Sequence, residues 1–272
     1  MLFKQVDINI KAPDYDSCGH TPKLSVFIPE IAESLPNSNR RPAVIIFPGG
    51  GYSFVSEREA EPIAMKYLSM GFAAFVLDYS VAPSVYPTAL LEAAYSVAYV
   101  RENSSELGVD PDKIAVVGFS AGGHLAANIS CFWNKPFISE ALGKENKMFK
   151  PNAAILSYPV ITSGEHADKE SFESLLGDKF DDSELMQTLS LENAVSSDTP
   201  PSFVWHTFED GLVPVENSML YVSALKKANV PFELHIYQHG GHGLSLSNDI
   251  TGSNVPDCQN WIDMSGSWIR NL

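Results

Sequence analysis

Short apolar runs recur along the chain: AVIIF at 43 to 47, AAFVL at 73 to 77, IAVVG at 114 to 118, AAILSY at 153 to 158, SFVWH at 202 to 206 and FELHIY at 232 to 237. Each is too short for a helix and rich in β-branched or aromatic residues, the pattern of strands buried on both faces of a parallel sheet. Stretches with helical spacing lie near 59 to 70, 87 to 107, 121 to 132, 215 to 229 and 257 to 270. Strand then helix, repeated, predicts a doubly wound α/β sheet with helices on both faces. Residues 2 to 10 and 22 to 28 alternate polar and apolar, which predicts antiparallel strands at one edge.

The rhythm breaks from Thr162 to Thr199, an acidic and polar stretch with short amphipathic pieces around Phe172 to Leu176 and Leu185 to Leu191. Ordinary connections run to ~4–6 residues. The segment is therefore expected to form a small cap or lid over the carboxyl ends of the strands, where open α/β sheets bind ligands. A plain surface excursion is the alternative. No linker or internal repeat divides the chain, so residues 1 to 272 are expected to be one domain.

Composition excludes several partners. The 33 acidic against 18 basic side chains leave a net charge of −15, which repels a phosphate backbone when the basic residues are unclustered, so no nucleic acid is expected. MLFKQVDINI at the start lacks the apolar core of a signal peptide, and no run reaches the ~18 apolar residues of a membrane span. The expectation is a cytoplasmic protein with no membrane partner. Cys18, Cys131 and Cys258 are odd in number and far apart, which suggests neither a disulfide framework nor a zinc site. Cys131 is expected in the core.

The run VVGFSAGGH at 116 to 124 places Gly118, Ser120 and Gly122 as G-x-S-x-G between a strand pattern and a helix pattern. This is the nucleophile elbow, in which a strand turns sharply into a helix and the serine projects at the turn. Chance alone supplies on the order of 0.1 such matches in a chain this long, so the flanking strand and helix carry the weight. The bland reading is a serine that only caps the helix.

A nucleophilic serine needs a base. His242, in HGGHG after the last apolar run, sits in a glycine-rich loop at the top of the sheet, with His239 as the near rival. His124 is expected to point into packing, His206 and His235 to be satisfied within strands, and His20 and His166 to lie in loops. The base in turn needs a carboxylate that fixes its tautomer and stabilises the imidazolium. Asp210, in HTFEDGLVP just past the SFVWH strand, fits that place, with Glu209 adjacent. The chain order Ser120, Asp210, His242 is the one expected for a nucleophile elbow.

An oxyanion hole is worth ~3–4 kcal/mol per donor. One donor is expected from the backbone N–H of Ala121, and others from FPGGGYS, where Gly49, Gly50 and Gly51 follow the AVIIF strand. Gly50 and Gly51 are the favoured donors. Ser56 with Glu59 matches a capping box, although Pro62 shifts the expected helix start toward Glu61. Glu57, Arg58 and Glu59 are candidates to border the pocket. Tyr52 and Trp205 are the candidate substrate-binding aromatics, with Phe54, Tyr79 and Trp133 behind them.

FPGGGY, GFSAGGHLAA, TPPSFVWHTFEDGLVPVENS and ELHIYQHGGHGLSL, in that order, resemble the α/β-hydrolase superfamily, specifically its small acetylxylan esterase-like or feruloyl esterase-like carbohydrate esterases. The resemblance implies an α/β-hydrolase fold with a mostly parallel central sheet, and a triad of Ser120, Asp210 and His242. It also implies short-chain, chiefly acetyl, esters of xylo-oligosaccharides or related sugars as substrates. Such a mechanism requires no metal or organic cofactor, and the apolar helix face around Leu220 to Leu225 leaves a homo-oligomer as an option. Pro48 stands where lipase relatives carry the first histidine of HGGG, which argues against lipid esters. Two alternatives are an amide hydrolase of the formamidase or peptidase kind, and a non-catalytic ligand-binding protein on a hydrolase scaffold.

Overall fold

The computed structural model describes residues 1–32 and 34–272. The apolar runs form strands: β1 (Leu2–Asp7), β2 (Lys23–Ile28), β3 (Arg41–Phe47), β4 (Ala73–Asp78), β5 (Val109–Phe119), β6 (Ala153–Ser157), β7 (Ser202–Thr207) and β8 (Phe232–Tyr237). They lie in one sheet in the order β1-β2-β4-β3-β5-β6-β7-β8. β1 and β2 pair antiparallel at one edge, and β2 also pairs antiparallel with β4. The remaining pairings are parallel.

The helices are α1 (Glu61–Ser69), α2 (Thr88–Glu102), α3 (Ser104–Leu107), α4 (Ala121–Phe132), α5 (Pro136–Leu142), α6 (Lys169–Leu176), α7 (Ser183–Thr188), α8 (Glu216–Lys227) and α9 (Trp261–Arg270). Even within the continuous apolar strands the two-residue period sorts side chains between faces. Ile45, Val116, Leu156 and Val204 pack under α2, α4 and α8 with Val97, Leu125, Ile129 and Leu225. Val44, Ile46, Val117 and Ile155 point the other way, onto Ile63, Tyr67, Trp261 and Ile262 of α1 and α9. Each such buried aliphatic or aromatic side chain contributes ~1.5–3 kcal/mol, so both faces are needed to hold the sheet. Helix α5 falls where the sequence pattern predicted nothing. Pro136 in its first turn and Gly143 as a left-handed C-cap are the local signals that mark it.

Residues 162–199 hold α6, α7 and short 3₁₀ turns. Phe172, Leu175 and Leu176 of α6 are buried in the same cluster as α2 and α4. The base of the segment is tied by Asn217 of α8, whose Oδ1 accepts from the N–H groups of Ile161 at 2.9 Å and Thr162 at 3.0 Å, while Nδ2 donates to His166 O at 2.9 Å. The Leu191 N–H returns to Ile161 O at 3.0 Å. Among the described residues no helix is long and apolar enough to cross a membrane.

Candidate active site

The strands of the parallel part end level with one another. Phe47 pairs with Gly118, Phe119 with Ser157, Ser157 with Trp205, and Thr207 with Tyr237. The loops leaving β3, β5, β6, β7 and β8 therefore meet at one rim.

At the centre of that rim, Ser120 links β5 directly to α4 with φ 53° and ψ −119°, a left-handed conformation that costs a non-glycine residue ~1–3 kcal/mol. The surroundings impose it. The Ser120 N–H donates to Ser157 O at 3.0 Å, and its carbonyl accepts from Val160 at 3.1 Å and His124 at 3.0 Å. The flanking glycines allow strand and helix to approach: a Cβ at Gly118 would lie 2.1 Å from Gly122 O, and one at Gly122 would lie 2.1 Å from Phe47 O.

Ser120 Oγ lies 2.7 Å from His242 Nε2, and His242 Nδ1 lies 2.7 Å from Asp210 Oδ2. A carboxylate only accepts, so the Nδ1 carries the proton and Nε2 is left to accept the Ser120 hydroxyl. Asp210 is buried and receives four donors. Oδ1 accepts from the N–H groups of Leu212 and Val213, both at 3.0 Å. Oδ2 accepts from His242 and also faces His206 Nε2 at 3.2 Å. Burial pushes the Asp210 carboxyl up, but hydrogen bonds from His206 and His242, with the charge of His242, outweigh it and hold the group well below the usual carboxylate range. Tyr158 backs the His242 ring edge-on at 5.1 Å.

Three other histidines are engaged elsewhere. His239 pairs with Glu209 at 2.9 Å on the exposed side of the loop. His124 is buried between the Tyr52 hydroxyl and Leu189 O, both at 2.9 Å, and burial pushes it down to about 4. His235 pairs with Glu233 at 2.7 Å.

In the loop after β3, the N–H of Gly49 is taken by the Glu59 carboxylate at 2.8 Å. Among the described residues the N–H groups of Gly50, Gly51 and Ala121 have no such internal acceptor, and Gly50 and Gly51 line the cavity in front of Ser120. Glu59 does not complete the expected capping box: Ser56 makes no side-chain cap, and α1 starts at Glu61. Instead Glu59 is buried and accepts the Tyr158 hydroxyl at 2.6 Å through its second oxygen.

The cavity measures about 260 Å³ and is lined by Ser53, Phe54, Arg58, Asp168, Glu170 and Ser174 together with Ser120 and His242. Its position corrects the two substrate-binding assignments. Trp205 is fully buried in β7, stacked on Trp261 at 5.2 Å and donating from Nε1 to Ser157 Oγ at 2.7 Å. It is a core residue because its place on the strand turns it to the α9 face. Tyr52 is also buried, its hydroxyl spent on His124. With Val160, Phe172 and Leu175 it closes a crevice that admits no water-sized sphere. Of the aromatic candidates, Phe54 is the one that faces the cavity. Among the described residues no three His, Cys, Asp or Glu side chains converge as metal ligands would.

Residues 30–225 match the family model BD-FAE. The chain belongs to the BD-FAE family. It shares 36% identity over 233 residues with endo-1,4-beta-xylanase B of Butyrivibrio fibrisolvens, covering 82% of this chain and 36% of that protein. It shares 32% identity over 245 residues with the acetylxylan esterase of Xylanibacter ruminicola, covering 88% and 47%. The chain thus spans about a third to a half of the length of these curated relatives. Among solved structures, the acetyl ester-xyloside bifunctional hydrolase from Caldicellulosiruptor lactoaceticus superposes with a TM-score of 0.81 at 39% identity, covering 95% of this chain and 91% of that one. The carboxylesterase Cest-2923 from Lactobacillus plantarum gives 0.82 at 26% identity, covering 100% and 98%. These matches give this BD-FAE chain an α/β-hydrolase fold.

Proposed function

We propose that this chain is a serine esterase that removes short acyl groups, chiefly acetyl, from hydroxyls of xylo-oligosaccharides or related carbohydrates. The observation that carries the reading is the hydrogen-bonded series Ser120, His242, Asp210, at 2.7 Å per step, whose Ser120 and His242 line a small cavity. Ser120 Oγ attacks the ester carbonyl as His242 Nε2 takes its proton, and the N–H groups of Gly50, Gly51 and Ala121 receive the oxyanion. Collapse breaks the carbon–oxygen bond to the sugar, whose oxygen leaves with the proton from His242. Water attacks the acyl-enzyme by the same route, releasing the carboxylic acid and Ser120.

Two features support small acyl groups on hydroxylated alcohols. The cavity is below the ~300–1,000 Å³ of sites for drug-sized ligands. Its walls carry Ser53, Ser56, Ser174, Asp168, Glu170 and Arg58, with Phe54 and Leu212 as its large apolar side chains. Residues 162–199, which bring Asp168, Glu170 and Ser174, act in this reading as a cap. The names of the xylan-related relatives agree with it. A p-nitrophenyl ester series from acetate to octanoate, run beside acetylated xylo-oligosaccharides and formamide, tests it with Ser120→Ala as control. Acetate and the oligosaccharides are expected to turn over fastest. Faster octanoate or formamide turnover, or full activity in Ser120→Ala, would overturn it.

A further inference from the structure

His206, at the penultimate position of β7, is buried with no exposed side-chain surface. Its Nε2 faces two acceptors, Val213 O at 2.9 Å and Asp210 Oδ2 at 3.2 Å. Neither can donate, so Nε2 bears the proton, and Nδ1 is left to accept the Ser218 hydroxyl at 2.8 Å. The tautomer is thereby fixed by Val213 O and Asp210 Oδ2, and the Ser218 hydroxyl of α8 holds the ring at Nδ1. Asp210 Oδ2 is shared by two imidazoles, one reaching the nucleophile and one reaching α8.

We propose that His206 is a positioning residue for Asp210, and that the hydrogen-bonded series runs through five side chains: Ser120, His242, Asp210, His206 and Ser218. The inference rests on the catalytic reading of Ser120, His242 and Asp210 given above. A carboxylate has about four lone-pair sites, and Leu212, Val213, His242 and His206 fill them. Rotation of the carboxylate would break at least one bond to a buried donor, so Oδ2 stays aimed at His242. The His206 proton also withdraws charge from Oδ2, which limits how strongly Asp210 holds the imidazolium form of His242. That balance matters because the base must release the proton to the departing oxygen. Asp210, His242 and His206 are the titratable groups of this series, joined through the Asp210 carboxylate. Beyond it, the remaining contacts of the His206 ring nitrogens are the neutral Val213 carbonyl and Ser218 hydroxyl.

A purely structural histidine would affect folding alone. A positioning one affects kcat and the pH profile while leaving KM, since it touches no part of the cavity. His206→Leu is expected to lower kcat on p-nitrophenyl acetate roughly ten- to a hundredfold, the worth of one hydrogen bond to a buried charge, with KM unchanged. The acid limb of the kcat profile is expected to move to higher pH, because an Asp210 with one donor fewer binds the His242 proton more strongly. His206→Gln, whose amide N–H can reach the same oxygens, is expected to restore most of both. Ser218→Ala keeps the imidazole and its tautomer but removes the hydroxyl that holds the ring at Nδ1, and is expected to shift the acid limb the same way with a smaller loss of kcat. It also decides the matter if His206→Leu fails to fold. Unchanged kcat and acid limb in a folded His206→Leu, or in Ser218→Ala when the leucine variant does not fold, would overturn the proposal. If Ser120→Ala is inactive while these variants behave as wild type, only the role of His206 falls; if Ser120→Ala is active, the catalytic reading itself falls.

Discussion

The Glu59 carboxylate accepts the backbone N–H of Gly49 at 2.8 Å, across ten residues of chain and at the foot of the glycine loop. Its other oxygen accepts the Tyr158 hydroxyl at 2.6 Å, and that hydroxyl accepts the N–H of Ser245 at 2.8 Å. One buried side chain thus joins the loops that follow β3, β6 and β8. Burial, reinforced by Glu59, raises Tyr158 well above the ordinary phenol value, so the hydroxyl stays protonated and able to donate.

Glu59→Ala is expected to strand the Gly49 donor and loosen the glycine loop. An unsatisfied buried donor costs ~1–3 kcal/mol, so the melting temperature is expected to fall by roughly 3–10 °C, with a loss of kcat on p-nitrophenyl acetate. Glu59→Gln keeps an acceptor for Gly49 and is expected to lose less of both. Calorimetry and steady-state rates on the two variants check this.

Glu59 also marks where sequence reading stops. The strands, the sharp turn at Ser120 and the loop after β3 were legible because their signals are local: two-residue alternation, glycines flanking a serine, glycines at a strand end. The positions of Asp210 and His242 followed from the ends of their strands. Trp205 escapes sequence reading because an apolar strand does not say which face each side chain takes until both faces have helices, and Tyr52 because the glycine loop after β3 turns its hydroxyl onto His124 of α4, 72 residues away. Glu59 looked like a cap because Tyr158 is 99 residues away. In the sequence His206 is simply a strand residue; its sharing of Asp210 Oδ2 emerges only when the turn after β7 folds back over it.

Asp210→Asn is expected to present an amide N–H or carbonyl where His242 Nδ1–H needs a charged acceptor, releasing the imidazole into the wrong tautomer. In a triad, that change lowers kcat by ~10⁴ with the geometry intact. Single-turnover measurement of the acyl-enzyme with p-nitrophenyl acetate checks it, since acylation itself is expected to become slow.

His124 sets an acid limit on stability. Unfolded, its imidazole titrates near 6.5; folded, burial lowers it to about 4. As pH falls, the unfolded state takes up a proton first, so stability is full above pH ~6.5 and declines toward pH ~4, by roughly 3 kcal/mol at ~1.4 kcal/mol per unit. Urea unfolding between pH 7.5 and 4 is expected to show this slope, and His124→Gln is expected to flatten it while lowering stability at pH 7.5.

Two glycines are expected to respond oppositely to alanine. A Cβ at Gly122 would lie 2.1 Å from Phe47 O and 2.4 Å from Pro48 O, both backbone, whereas one at Gly241 meets nothing within 4 Å. Gly122→Ala is expected to yield insoluble or inactive protein. Gly241→Ala is expected to keep stability within ~1 kcal/mol of wild type, with a gain if the unfolded chain is stiffened. Soluble yield and thermal melts distinguish them.

Trp205→Phe is expected to cost stability and leave substrate affinity alone. It removes the indole N–H bond to Ser157 and part of the stack on Trp261, changes typically worth ~1–3 kcal/mol together. KM for acetylated xylo-oligosaccharides is expected to stay constant. A several-fold rise in KM in a fully folded variant would return Trp205 to the substrate site.

The excursion between β6 and β7 begins at Ile161 and comes back beside it, Leu191 bonding to the Ile161 carbonyl at 3.0 Å while Asn217 grips the same point from α8. An excursion whose two ends are neighbours can be lengthened, shortened or exchanged without stretching the scaffold beneath it. Its side chains Asp168, Glu170 and Ser174 form one wall of the cavity, whereas Ser120 and His242 belong to the scaffold. In the reading proposed above, the excursion supplies one wall of the site and the scaffold supplies Ser120, His242 and the opposite wall, so a graft of residues 162–190 from another member of the family is expected to change ester preference while leaving Ser120 and His242 in place.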